Sequence, residues 1–178
     1  DKASFDPIIA TGIDNTVKPH SVNSTRKIQI GDLILVDYGY FYQGYTFDVT
    51  RVCGMGVQSP EIHRLTAAVQ DALLETMQMV APRLPVSALW QKANDVLQIY
   101  HLDQYFTHGI GHGIGRSIHE MPTLSYRSDE PLQAGQVITI EPGVYVPGVG
   151  GIRLENDLLV TANGFENLTD FDLGLTEL

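Results

Sequence analysis

The first clear pattern in the chain is a pair of runs rich in β-branched and aromatic residues. Residues 31–53 read GDLILVDYGYFYQGYTFDVTRVC and are interrupted once, at Gln43-Gly44. This composition, with a short glycine-containing break, is typical of two strands joined by a tight turn. We therefore expect a β-hairpin in this segment.

Helical periodicity begins at Ser59-Pro60, where a capping hydroxyl precedes a proline suited to the first turn. Five apolar residues follow at helical spacing: Ile62, Leu65, Val69, Leu73 and Met77. Pro82 and Pro85 should end this helix, and Ser87 should cap a second one. The apolar face of the second helix comprises Leu89, Ala93, Val96, Leu97 and Tyr100. We assign both faces to the core.

A second hairpin is expected near the carboxyl end of the chain, where residues 136–146 and 151–160 flank Pro147-Gly148. The order of elements is then a hairpin, two helices and another hairpin. This order predicts an α+β fold in which the helices cover one face of an antiparallel sheet.

Composition narrows the class of protein. The 178 residues are 43% hydrophobic, which suits a single globular domain over 1–178 and excludes disorder. Eleven basic against 21 acidic residues give a net charge of −10, which argues against nucleic acid as a ligand. No apolar run approaches the ~18 residues of a membrane helix. The single cysteine, Cys53, suits a reducing compartment, so a cytoplasmic location is expected.

Four carboxylates occupy unusual places in these strands. Asp37 and Asp48 lie symmetrically about the bond between Tyr42 and Gln43, so a hairpin centred there puts them directly opposite each other. Opposed like charges are destabilising. From this hairpin alone, the alternative is that one aspartate faces solvent or pairs with Arg51.

The second hairpin repeats the arrangement, because Glu141 and Glu155 lie symmetrically about Gly148. Buried charges must be paired or bound to metal. Two carboxylate pairs in separate hairpins therefore indicate a shared cation site.

Histidines are the second group of candidates. His108 and His112 belong to a segment with alternating glycines, which disfavours a helix. As a strand, it would place His108, Ile110, His112 and Ile114 on one face and the glycines on the other. A bare glycine face allows close approach of another backbone or a ligand. Taken singly, each histidine is more often structural than functional.

These residues together resemble the catalytic domain of the pita-bread metallopeptidases, which include Xaa-Pro aminopeptidases, prolidases and methionine aminopeptidases. The matching motifs are Asp37-Tyr-Gly-(x)4-Gly44-Tyr45-(x)2-Asp48-Val-Thr-Arg51, His108-Gly-Ile-Gly-His112-(x)6-His119-Glu120, Glu141-Pro-Gly143 and Gly151-Ile-Arg153-Leu-Glu155-Asn-Asp157. The resemblance implies the pita-bread fold and covers most of the chain. Full-length relatives have an upstream region that this sequence lacks, so an N-terminally truncated catalytic domain is expected.

The resemblance also implies a ligand set for two divalent ions. The five expected ligands are Asp37, Asp48, His112, Glu141 and Glu155, with Asp48 and Glu155 as bridges. Mostly oxygen ligands suit Mn²⁺, with Co²⁺ or Zn²⁺ as alternatives. Glu141 would also move a proton, and the remaining active-site histidines would be His20, His108 and His119. Arg153 would orient Glu155 from outside the ligand set.

Details of the motifs favour the proline-directed branch of this family. The expected reaction is hydrolysis of the bond before proline in a peptide with proline at its second position, either as an Xaa-Pro dipeptidase or as an aminopeptidase P. His108 and Tyr45 are expected to form the walls around the proline ring, and His20 to donate to the leaving nitrogen. Phe47, where relatives usually have a small residue, would narrow this pocket.

Three alternatives stay open at this point. They are a methionine aminopeptidase, a silent pita-bread module that binds protein partners, and a creatinase-type hydrolase without a metal pair. For the full-length protein, the family resemblance implies a homodimer.

Overall fold

The computed structural model describes residues 2–178. The helices in this part of the chain are α1 (Ile13–Thr16), α2 (Pro60–Met77) and α3 (Val86–Ile99), with a 3₁₀ turn at Asp103–Tyr105. The strands are β1 (Ile8–Thr11), β2 (Leu33–Tyr42), β3 (Tyr45–Gly54), β4 (Gly111–Gly113), β5 (Glu120–Leu124), β6 (Val137–Ile140), β7 (Gly143–Val146), β8 (Gly150–Arg153), β9 (Asn156–Val160), β10 (Phe165–Asn167) and β11 (Thr176–Glu177).

The strands form three hydrogen-bonded sheets. The first has the order β1-β2-β3-β11, the second β10-β9-β6-β4-β5, and the third contains β7 and β8. Apart from β11, which runs parallel to β3, the paired strands are antiparallel. The predicted combination of helices with a largely antiparallel sheet is confirmed.

The two long helices pack together and against the strands around a continuous hydrophobic core. Leu65, Leu73, Leu89 and Leu97 from these helices are fully buried, as their spacing predicted. At about 25 cal/mol per Å² of apolar surface, such side chains supply most of the stabilisation of a domain this size. The core lies to one side of the hairpins and leaves their polar positions free for a site.

The hairpin β2–β3 is present as predicted, but its register differs from the expected one. Gln43 and Gly44 have φ angles of 51° and 86°, and they form a two-residue turn between Tyr42 and Tyr45. Positive φ at both central residues is the geometry of the turn that best matches strand twist. The centre of the hairpin therefore lies between Gln43 and Gly44, one residue beyond the position assumed from the sequence.

In this register the two aspartates are not cross-strand neighbours, because one residue pair, Tyr38 with Val49, lies between their positions. Asp37 lies opposite Thr50 and Asp48 lies opposite Gly39, so the prediction that the aspartates oppose each other directly was wrong. Because the offset is two residues, both side chains still lie on the same face of the hairpin.

The second hairpin has the predicted register, since both of its ladders are symmetric about Gly148. It is divided into β6–β9 and β7–β8, with Glu141 and Glu155 in the interruption between the two ladders. Pro142 follows Glu141 and has no N–H to contribute to a ladder. The interruption frees both glutamate side chains from regular strand geometry.

The first predicted helix start is confirmed, and the second is wrong by two residues. The Oγ of Ser59 accepts a hydrogen bond from the N–H of Ile62 at 3.3 Å. In α3 the capping position is occupied by Pro85, whose extended backbone precedes a helix beginning at Val86. Ser87 lies inside the first turn, and its hydroxyl donates to Asp129 Oδ1 at 2.7 Å.

The glycine-rich segment forms a strand only at β4, which contains a register shift after His112. A Cβ at Gly111 would lie 2.1 Å from Thr139 O, and one at Gly113 would lie 2.3 Å from Met121 O, so the expected close backbone approach is confirmed. The expected shared face is not formed. Ile110 is fully buried in the core, whereas His108 and His112 line a cavity.

Among residues 2–178, no helix combines the length and the apolar character that crossing a membrane requires.

Replacing Ser59 with Ala should lower the free energy of unfolding by about 1 kcal/mol, because the N-cap hydrogen bond is lost. Urea unfolding of the metal-free protein measures this. Ser87→Ala is the matched control, since Ser87 is no cap, and its effect should stay within about 0.5 kcal/mol. Equal losses in the two variants would contradict the capping assignment.

Candidate metal centre and its cavity

A cavity of about 570 Å³ lies where the two hairpins and the glycine-rich segment meet. All nine residues predicted for the site line it: His20, Asp37, Asp48, His108, His112, His119, Glu141, Arg153 and Glu155. The structure therefore brings together side chains that are up to 135 positions apart in the sequence.

Each expected ligand comes from a different backbone segment. Asp37 lies in β2 and Asp48 in β3, while His112 occupies the centre of β4. Glu141 directly follows β6, and Glu155 connects β8 to β9. Groups fixed by strands and their ends need little rearrangement to bind a common partner.

The tightest cluster in the described residues consists of Asp48, His112 and Glu155, which offer ligand atoms that all lie within 4.8 Å of one another. His112 Nε2 lies 3.7 Å from Asp48 Oδ2 and 3.8 Å from Glu141 Oε1. These separations exceed hydrogen-bond length and leave room for an ion between the atoms. Asp48 Oδ1 is buried and has no hydrogen-bond partner in the structure. The donor set and the orphaned oxygen fit a divalent cation.

His112 is oriented for this role by its own strand. Its Nδ1 lies 2.9 Å from the carbonyl oxygen of Gly113. A carbonyl can only accept, so Nδ1 carries the proton and Nε2 keeps its lone pair toward the carboxylates. The ring of His119, which is exposed, lies edge-on to that of His112 with 4.4 Å between centroids.

Arg153 is buried and contacts several site residues at once. It forms an ion pair with Asp37, and its Nε donates to Thr50 Oγ1 at 3.2 Å. The Thr50 hydroxyl in turn donates to Glu155 Oε2 at 2.7 Å. Arg153 thus contacts one expected ligand directly and reaches Glu155 through Thr50.

Tyr145 is a further member that the sequence analysis missed. Its hydroxyl accepts from Arg153 Nη1 at 2.9 Å and lies 3.0 Å from His108 Nε2. Thr50 was missed as well. The alternation of strand residues placed Thr50 on the same face as Asp48, but a threonine in a strand is equally typical of plain β structure.

The expected walls of the cavity need two corrections. Tyr45 and Phe47 do not line it; both belong to a second cavity of about 470 Å³ on the other side of β3. Odd-numbered residues of β3 point away from the face that carries Asp48, which is the physical reason. Apolar walls are supplied instead by Phe5, Ile8 and Ile118.

Burial and mutual repulsion raise the pKa values of the clustered carboxyl groups. The pKa of Asp48 is raised to about 9, first by burial and then by the charges of Asp37 and Glu141. Burial raises the pKa of Glu141 to about 7 and that of Asp157 to about 7. The pKa of Glu155 is also raised, for the same reason. Without a cation, the site favours protonated carboxyl groups.

The histidines shift in the opposite direction. Burial lowers the pKa of His108 to about 4 and that of His112 to about 4. Both rings are therefore neutral at pH 7. A neutral imidazole is the form that binds a metal ion.

These shifts predict that the metal-free protein loses stability between about pH 6.5 and pH 8.5. In this range the folded carboxyl groups hold protons that the unfolded chain has released, so stability falls as the pH rises. The histidines act in the opposite sense only below their unfolded pKa of about 6.5. Melting temperatures in chelator should fall across this range, and added Mn²⁺ should reduce the fall. A constant melting temperature in chelator would contradict the assigned burial of charge.

Asp48→Asn should raise the melting temperature of the chelated protein at pH 8, because it removes the most strongly shifted carboxyl group. It should abolish metal-dependent activity while leaving the protein folded. Asp32→Asn is the matched control, since Asp32 is also buried but its pKa is lowered by hydrogen bonds from Arg26. The control should lose stability. A chelated Asp48→Asn protein no more stable than wild type would count against like-charge repulsion at the site.

Comparison with known proteins identifies relatives of this chain. The sequence profile of metallopeptidase family M24 matches residues 1–162. The Xaa-Pro dipeptidase of Pyrococcus horikoshii is 37% identical over 169 residues, which are 95% of this chain and 48% of that protein. The chain thus spans about half the length of the curated relatives it matches.

Two crystal structures of similar peptidases have the same fold as this chain. An X-Pro aminopeptidase from Thermotoga maritima has a TM-score of 0.97 at 32% identity, over 100% of this chain and 50% of the other. A prolidase from Thermococcus sibiricus has a TM-score of 0.96 at 38% identity, over 100% and 48%. The fold is the pita-bread fold of these peptidases. With the profile match over nearly the whole sequence, it follows that the chain belongs to metallopeptidase family M24.

Proposed function

We propose that this chain forms the catalytic part of a metal-dependent exopeptidase that hydrolyses the bond before a proline at the second position of its substrate. The observation that carries the proposal is the convergence of four carboxylates and a neutral imidazole on one cavity. The relatives described above are an Xaa-Pro dipeptidase, a prolidase and an X-Pro aminopeptidase, which supports the substrate class.

Two divalent ions, with Mn²⁺ preferred over Co²⁺ or Zn²⁺, are the proposed cofactor. Asp37, Asp48, His112, Glu141 and Glu155 would hold them. Mostly hard oxygen ligands support the choice of Mn²⁺. When bound, the ions would lower the pKa of a water and polarise the scissile carbonyl.

The protein's own groups would then handle protons and orientation. Glu141 lines the cavity, with Oε1 3.8 Å from His112 Nε2, and is placed to accept and return a proton beside the scissile bond. His119 and His20 line the cavity and are exposed in it, where a histidine N–H could donate to developing negative charge or to the leaving nitrogen. Arg153 holds Asp37 and, through Thr50, Glu155.

The substrate class is supported by the walls of the cavity. A peptide bond before proline has no N–H, and the ring fixes φ, so it cannot bind as an ordinary extended strand. Phe5, Ile8 and Ile118 offer an apolar surface for a rigid ring. His108, which is neutral and fixed by Tyr145, adds a flat face beside them.

The homodimer of the full-length protein and its cytoplasmic location stay predictions from the sequence.

A panel of peptides separates the branches of the family. We expect Ala-Pro or Arg-Pro-Pro to be cleaved in preference to Met-Ala-Ser, with Mn²⁺, by the protein at its full natural length. Cleavage of Ala-Pro alone would favour the dipeptidase, and cleavage of Arg-Pro-Pro the aminopeptidase. Preferential cleavage of Met-Ala-Ser would transfer the protein to the methionine aminopeptidase branch. No cleavage, together with no bound metal by elemental analysis, would leave a silent binding module.

His119→Ala should lower kcat by about 10²–10³ without changing the metal content, because His119 is proposed to stabilise developing charge. Steady-state kinetics and elemental analysis of the same samples measure both quantities. His63→Ala is a suitable control, since His63 pairs with Glu177 on the surface and does not line the cavity. Loss of metal from the His119 variant would mean that the histidine is a ligand.

A further inference from the structure

The edge of β3 that faces away from β2 is joined to the second hairpin and the glycine-rich segment by hydrogen bonds at alternate residues. The three bonds are Thr46 N–H to Gly115 O at 2.8 Å, Asp48 N–H to Asp157 Oδ2 at 3.0 Å and Glu155 N–H to Thr50 O at 3.2 Å. The outer two use main-chain carbonyls. In the middle one, at the expected bridging ligand, a carboxylate occupies the place of a strand carbonyl.

Asp157 is unusual because it is a buried carboxylate without a cationic partner among residues 2–178. It lies in β9, is 5% exposed and has one oxygen, Oδ1, without any hydrogen-bond partner. Its surroundings include Val137, Leu168 and Phe171, which line the second cavity beside it. A buried polar atom without a hydrogen-bond partner lowers the stability of the fold, so a functional reason for Asp157 is worth seeking.

Its own main chain is also fixed. The N–H of Asp157 donates to Thr169 Oγ1 at 2.9 Å. The carboxylate is thus held from β9 while its Oδ2 holds the main chain of Asp48 on β3. Since the two residues are 109 positions apart, this contact is one of those that join the two ligand-bearing hairpins at the site.

The hydrogen bond from Asp48 N–H to Asp157 also restricts the side chain of Asp48. Fixing its main-chain N–H fixes the direction of Cβ, and Asp48 Oδ2 lies 3.7 Å from His112 Nε2. We infer that Asp157 is a positioning residue, which holds Asp48 in place for metal binding by accepting its main-chain hydrogen bond. This inference rests on the metal-binding function proposed above.

Two substitutions separate hydrogen bonding from charge. Asp157→Asn keeps an acceptor oxygen at the same place and removes the negative charge. Asp157→Ala removes both. If the role is positioning, the asparagine variant should behave like wild type, because the amide oxygen accepts the same N–H.

The measurement is the affinity for Mn²⁺, by calorimetric titration of the metal-free protein, together with kcat/KM on the preferred Xaa-Pro peptide. Mutation of a residue that orients a metal ligand lowers metal affinity or activity by about 10–100-fold. We expect a loss of this size for Asp157→Ala and a change below about threefold for Asp157→Asn. Asp32→Ala removes a buried carboxylate remote from the cavity and should destabilise the fold without changing Mn²⁺ affinity. If Asp157→Ala does not fold, Asp157→Leu replaces it, since leucine fills similar space against the apolar wall.

Wild-type affinity in Asp157→Ala or Asp157→Leu would overturn the inference while leaving the proposed function intact. So would an asparagine variant as weak as the alanine variant, because the effect would then come from charge. A wild-type protein that binds no Mn²⁺ would instead overturn the proposed function itself.

Discussion

The structure depends on how it accommodates several buried carboxylates beside one another. Asp37, Asp48 and Glu155 are each at most 9% exposed, and Glu141 lies in the same cavity. Repulsion between such groups and the loss of hydration are both unfavourable, and the pKa of Asp48 rises to about 9 as a result. Arg153 is a buried cation beside these groups, but it forms an ion pair with only one of the carboxylates, Asp37. The remaining negative charge suits the cavity to a cation.

Such a cluster needs a rigid frame, because the groups would separate if the backbone could relax. The frame consists of two hairpins whose ligand-bearing strands are connected by direct hydrogen bonds. Glu155 N–H bonds to the carbonyl of Thr50, and the Thr50 hydroxyl donates to the Glu155 carboxylate. The first hairpin thereby holds Glu155, an expected ligand that belongs to the second. Close packing of the glycine-rich strand adds His112, since Gly111 leaves no space between its backbone and Thr139.

The sequence allowed much of this to be predicted, and the errors have identifiable causes. The register of the second hairpin was right because its loop is symmetric about Gly148, whereas that of the first was wrong because the turn needs positive φ at both Gln43 and Gly44. A glycine at the second turn position was a usable signal for this register. Tyr45 and Phe47 were placed in the wrong cavity although strand alternation already assigned them to the face opposite Asp48.

Other features of the site could not be predicted from any short segment of the sequence. The contacts of Arg153 with Asp37 and of Asp157 with Asp48 depend on how two distant hairpins cross. Periodicity and propensity describe one segment at a time, so they cannot specify such a crossing. The same is true of Ile110, which lies just before β4 and packs in the core although His108 and His112 on either side of it line the cavity.

The charge balance of the site supports the proposal of two ions rather than one. With Asp157 included, five carboxyl groups and the guanidinium of Arg153 share this part of the interior, so full ionisation leaves four negative charges. One divalent ion would neutralise half of them and leave the rest buried without compensation, which is strongly unfavourable. Two divalent ions would balance the charge without requiring protonated carboxyl groups. Asp157 lines the second cavity and contacts only the main chain of Asp48, so its charge enters this balance from a distance, whereas its hydrogen bond acts on Asp48 directly.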